Sequence, residues 1–130
     1  MNEQPYTHKS LTEVEDSAPR FGFEELQEAR FAYGALDCEQ VGFALERVKP
    51  GKRQGFAHKH DEAEEVYVVI GGSGRVKLDD EIVEIERLDA IRVSPKVTRQ
   101  FEAGPEGIEY IAFGAYHEGD GELVPDWWTD

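Results

Sequence analysis

The chain holds one cysteine, Cys38, so no internal disulfide can form. That fits a reducing compartment, and a small apolar core role suits Cys38 better than a nucleophile's, since no His lies near it in sequence. Basic residues are scarce. Lys and Arg number 14 against 28 Asp and Glu, a net charge of −14. Such a balance speaks against nucleic acid and anionic membrane surfaces as partners, and the even spread of acids serves solubility. No apolar run approaches the length of a membrane span. The segment from Met1 to Arg20 is polar and lacks the apolar core of a signal peptide. The expectation is therefore a cytoplasmic protein. Long helical periodicity, internal repeats and low-complexity tracts are also missing.

What remains reads as β structure. The 130 residues suit one domain with a core that needs no staples. Strands are expected at Arg30 to Tyr33, Gln40 to Val48, Val66 to Ile70, Arg75 to Leu78, Ile82 to Ile85, Ala90 to Val93, Arg99 to Ala103 and Ile108 to Phe113. Gly71-Gly72-Ser73-Gly74 reads as a hairpin turn; it lacks the spacing and the Lys-Ser/Thr ending of a phosphate-binding loop. Gly104-Pro105-Glu106-Gly107 reads as a second break. Short, evenly spaced strands with Gly and Pro punctuation predict an all-β sandwich or barrel. Residues 1–28 read as an N-terminal arm. Residues 117–130 form a tail with five acids and no Lys or Arg, ending near Trp127-Trp128. Two Trp in so polar a segment are expected to dock, on the barrel or on a second subunit. This pair, with the apolar strand positions Val66, Val68 and Ile70, predicts a homodimer.

The stretch His58-Lys59-His60, followed by Glu65 and an apolar run, carries the chemistry. A strand sends residues i and i+2 to one face, so the two imidazoles can serve one ion. Two His and one carboxylate, with positions left open, suit a divalent first-row metal: Fe, Mn, Ni or Zn. Glu64 competes with Glu65 for the third place. Strand phase favours Glu65, which shares a face with Tyr67 and Val69. The adjacent acidic loop, residues 61–65, offers carboxylates to orient the imidazoles. His8 and His117 lie in the polar ends and receive no role.

Gly51, His58, His60, Glu65 and Gly72 together resemble the first motif of the cupin family, with a loop before His58 one residue longer than usual. The stretch from Leu88 to Phe101 is similar to the second motif in rhythm but not in residues: Arg99 stands where that family has its last metal-binding His. The resemblance spans roughly residues 40–115. It implies a double-stranded β-helix, or jelly-roll barrel, over residues 29–116, with His58, His60 and Glu65 as metal ligands inside it.

A guanidinium keeps its proton in a protein and has no lone pair to give, so Arg99 cannot replace the missing His. It can hold an anionic group by a bidentate contact. With Tyr67 and Phe101 it is expected on the wall of the cavity as a ligand-binding residue; a strand bulge would put Gln100 there instead. Two functions follow. One is a metal-binding cupin that binds, or acts on, a small polar or anionic molecule. The other is a metal-free, non-catalytic binding or interaction module built on a buried Glu65–Arg99 pair.

Overall fold

The computed structural model describes residues 5–130; the first four residues of the expected arm lie outside them. Eight strands follow in order: β1 (Gln27–Phe31), β2 (Val41–Val48), β3 (Ala57–His60), β4 (Glu65–Leu78), β5 (Glu81–Glu86), β6 (Ala90–Val93), β7 (Arg99–Ala115) and β8 (Gly121–Val124). The helical pieces among the described residues are two 3₁₀ turns, Leu11–Glu13 and Ala18–Phe21. No helix among them is long and apolar enough to cross a membrane.

All pairings are antiparallel, and together they curl one sheet into a jelly-roll barrel. The long strands β4 and β7 make this possible. They pair from Glu65↔Gly114 to Leu78↔Arg99. The first half of β4 also pairs with β6 and its second half with β5. The second half of β7 pairs with β2, which carries β1 on its other edge. Inward side chains fuse into one core of Val48, Tyr67, Val69, Val76, Phe101 and Tyr110, with the Phe101 and Tyr110 rings stacked at 4.1 Å. Each such side chain contributes about 1.5–3 kcal/mol by leaving water.

The two expected breaks are corrected. Gly71–Gly74 lies inside β4, and residues 104–107 lie inside β7, as facing parts of one ladder. The register slips between Val69 and Gly71 and again between Gly72 and Gly74, so these are bulges rather than a hairpin turn. Glycine is required there because the two backbones nearly touch. A Cβ at Gly72, where φ is +70°, would strike the Gly107 carbonyl, and one at Gly74 would strike that of Glu102. A hairpin joins β4 and β5 at Asp79-Asp80, between the strands expected at Arg75 to Leu78 and Ile82 to Ile85, with Asp79 at positive φ.

Both ends of the chain are built into the barrel. In the N-terminal segment Asp16 bridges Arg30, and its Oδ1 accepts the Ala18 and Ala29 amide N–H groups at 3.0 and 2.9 Å. The tail supplies β8, which pairs with β3 from Ala57↔Val124 to His60↔Gly121. Trp128 then packs on its own barrel: it is 5% exposed, beneath the Arg53 guanidinium at 4.2 Å. Lys77 sits over the Trp127 ring at 4.5 Å.

Candidate metal centre

The short strand β3 holds Ala57–His60 between β7 and β8, and its pleat turns Ala57 and Lys59 away from the face shared by His58 and His60. Glu65 opens β4 and meets them. Its Oε1 is 3.3 Å from His58 Nε2 and 3.2 Å from His60 Nε2. One potential ligand atom from each residue lies within 4.8 Å of the others. The imidazole rings stand nearly perpendicular, centroids 5.2 Å apart. Glu64, the rival carboxylate, points outward and pairs with the exposed Arg92.

Burial lowers the His58 pKa, and nearby Arg99 and His60 add to this against the opposing pull of Glu65. His58 is therefore neutral at physiological pH, the form that ligates. Burial pushes the Glu65 carboxyl up, but the two imidazoles and the Tyr67 hydroxyl, which donates to Oε1 at 2.5 Å, together hold it well below the usual carboxylate range.

A carboxylate orients His60, and it comes from the tail rather than from the acidic loop 61–65. Asp120 Oδ2 lies 3.2 Å from His60 Nδ1. The Asp120 carboxylate also accepts the N–H groups of Asp61, Glu62 and Ala63 at 3.2, 2.9 and 3.0 Å, which outweighs its own desolvation and lowers its pKa. An imidazole that donates from Nδ1 presents a lone pair at Nε2. His60 Nε2 is buried and has no hydrogen-bond partner, although the Glu65 oxygen is close by. With Nδ1 turned to Asp120, His60 Nε2 and the Glu65 oxygen face each other at 3.2 Å, an arrangement that fits a shared cation. Neutral imidazole, anionic carboxylate and a second carboxylate behind the ring complete that fit.

The other site residues expected from sequence lie behind this cluster. Tyr67, Arg99 and Phe101 are 1%, 0% and 0% exposed and belong to the packed interior beneath the cavity wall. Arg99 Nη1 donates to the Pro95 and Val97 carbonyls at 3.1 and 2.9 Å, while Nη2 lies 3.6 Å from Glu65 Oε1. Its Nε and Nη2 have no hydrogen-bond partner. Gln100 turns the other way and donates to the Gln54 carbonyl at 2.7 Å.

The cluster opens into a cavity of about 380 Å³. Small side chains on three strands leave this space: Ala29 on β1, Ala44 on β2 and Ala112 on β7. Phe31, Phe56 and Leu123 line it too, and Ser17, Ala18 and Phe21 of the N-terminal segment close part of it. His117, which received no role from sequence, also faces the cavity. So does Glu46 of β2, which strand alternation hides, because Val41, Phe43 and Leu45 make the opposite face of that strand the more apolar one. Burial, reinforced by the Glu65 charge, pushes the Glu46 carboxyl up to about 8.

Residues 44–112 match the family model described as Cupin domain, and the chain belongs to the cupin family. An uncharacterized protein of Methanocaldococcus jannaschii, MJ1618, is 33% identical over 57 residues, covering 44% of this chain and 46% of that one. The chain thus spans under half the length of that curated relative. Among solved structures, a cupin protein from Bacteroides fragilis superposes with a TM-score of 0.71 at 19% identity, covering 98% of both chains. Oxalate decarboxylase from Bacillus subtilis gives 0.76 at 22% identity, covering all of this chain and 35% of that one. Likenesses at such identity establish the fold alone.

Proposed function

We propose that this protein is a metal-binding cupin that binds, and acts on, a small molecule in the barrel interior, with one divalent first-row ion (Fe, Mn, Ni or Zn) held by His58, His60 and Glu65. The observation that carries the reading is the buried, unpartnered Nε2 of His60, aimed at Glu65 by the Asp120 contact on the opposite nitrogen. A divalent ion there supplies Lewis acidity toward an oxygen of the bound molecule. The chain's own residues do the rest. Asp120 fixes the His60 tautomer, and Tyr67 holds Glu65 in place by donating to Oε1. Arg99, buried behind Glu65, adds positive charge that favours an ionised carboxylate but offers no lone pair. Three protein ligands would leave a bound ion accessible from the cavity that those residues line.

A second reading rests on the 3.6 Å approach of Arg99 to Glu65. In it that ion pair takes the place of a metal, and the cavity serves a non-catalytic binding or interaction module. Metal analysis of protein purified without chelator or His tag separates the two. About one first-row ion per chain, lost on His58→Ala, supports the metal-binding cupin. No uptake by wild type from Mn, Fe, Ni or Zn solutions supports the metal-free module.

A further inference from the structure

The cavity wall contains no Lys and no Arg. It does contain two carboxyl groups, Glu46 and Glu65, in a chain of net charge −14. The cation that sequence offered for an anionic ligand, Arg99, is fully buried and lies off the cavity wall; its Nη1 donates to the Pro95 and Val97 carbonyls and its Nη2 lies 3.6 Å from Glu65. Oxalate decarboxylase is named for a small dianion; without a bound ion, no Lys or Arg on this wall complements one.

Two amide side chains on the wall, Gln54 and Gln27, have their orientation set by hydrogen bonds and turn donors toward the cavity side. Gln54 Oε1 accepts the Phe101 amide N–H at 2.8 Å, so its Nε2 is the end that lies 3.5 Å from Glu46 Oε1. Gln27, 5% exposed on the wall, accepts the Gly55 N–H at 2.7 Å through Oε1, which leaves its amide N–H bonds unused. The Tyr110 hydroxyl, on the register partner of Glu46 across β2 and β7, is buried in the core behind this wall rather than on it. The protonated form of Glu46 adds an O–H. Around this donor cluster the surface is hydrocarbon, from Ala29 to Phe56.

We infer that the cavity selects an uncharged, apolar-bodied molecule about the size of a single substituted ring, which presents a hydrogen-bond acceptor to Glu46, Gln54 and Gln27. The volume of about 380 Å³ sits at the small end of ligand pockets. Burying ring carbons against Phe31 and Phe56 supplies the affinity, and the fixed donors supply the orientation. This rests on the proposed site as the place of ligand binding, and not on the presence of the ion.

The test uses matched probes: benzamide, neutral, against benzoate, its near-isosteric anion, with oxalate as a small dianion. Binding to the full chain is followed by thermal shift and calorimetry, both metal-free and loaded with zinc. Benzamide should bind the metal-free protein, with benzoate weaker by about tenfold or more and oxalate not binding. Glu46→Leu should weaken benzamide by about tenfold, as expected for a lost buried hydrogen bond, while Glu46→Gln, which keeps a donor, stays within about threefold. Ala29→Leu, which fills the floor, should weaken benzamide more than either Glu46 variant does. Cooperative unfolding establishes that each variant is folded. Benzamide failing to bind at about 1 mM, metal-free benzoate or oxalate matching it, or Glu46→Leu binding like wild type would each overturn the inference. Benzamide binding without any zinc uptake would leave it standing and sink the metal reading instead.

Discussion

His60 Nδ1 and Asp120 Oδ2 meet at 3.2 Å although sixty positions separate them in the chain. The contact exists because β8 pairs with β3, with His60 opposite Gly121. It ties the tail to the His58–His60–Glu65 cluster, and the same carboxylate ties down the loop between His60 and Glu65 through three backbone N–H groups. One side chain therefore sets both the His60 imidazole and the approach of Glu65.

Asp120→Ala should weaken zinc binding by about 10–100-fold, the usual effect of losing a carboxylate behind a ligating imidazole. It should also destabilise the fold by about 1–3 kcal/mol, since buried N–H groups lose their acceptor. A chelator-competition titration and a urea melt measure the two effects. Unchanged zinc affinity would show that Asp120 serves the loop alone.

Arg99→His places an imidazole where the cupin family has its last metal-binding His. Given the 3.6 Å approach of Arg99 to Glu65, the new ring should complete a four-ligand set. Removing the buried positive charge works in the same direction. Affinity for Mn, Fe, Ni or Zn should rise by about tenfold or more, which corresponds to roughly 1.4 kcal/mol. Calorimetric titration of both proteins reads this directly, and equal or weaker binding by the variant would count against the three-ligand site.

Glu46 predicts a pH dependence of stability. Its folded pKa is raised from 4.5 to about 8, so between those values the native state holds a proton that the unfolded chain has released. Stability then falls as pH rises through that window. His58, with a lowered folded pKa, acts with the opposite sign below pH 6.5. The difference between wild type and Glu46→Gln over 6.5 to 8 therefore isolates Glu46. Metal-free wild type should lose about 1–2 kcal/mol across it, and Glu46→Gln should lose much less. Denaturant melts of both proteins at the two pH values provide the check; parallel slopes would contradict an acid held in its neutral form.

A homodimer is predicted from the outer face of the barrel rather than from Trp128, which packs on its own chain. Val66 and Val68 on β4 face outward beside Phe113 and Ile111 on β7, and Phe113 is 38% exposed. A two-fold partner would cover this stripe. Sedimentation at micromolar concentration should give about twice 14.7 kDa, and Phe113→Glu should shift it to the monomer.

Several of these relationships were legible in the chain before folding. The pleat alone puts His58 and His60 on one face, and strand phase alone favours Glu65 over Glu64. The β-rich pattern and the first cupin motif gave the jelly roll, because alternation and turn residues act locally and do not depend on which strands pair. The glycine runs show where local reading stops. A glycine at positive φ marks a tight turn and a bulge alike. Only the Gly107 carbonyl, brought against Gly72 by β7, made residues 71–74 part of a continuous strand. Tertiary structure likewise decided that Asp120 orients His60, that Arg99 lies behind the wall with Tyr67 and Phe101, and that Ala29, Ala44 and Ala112 leave a cavity between them. Each of these depends on strands distant in sequence becoming neighbours, and the hydrogen-bond ladder that aligns them has no signature in any single segment.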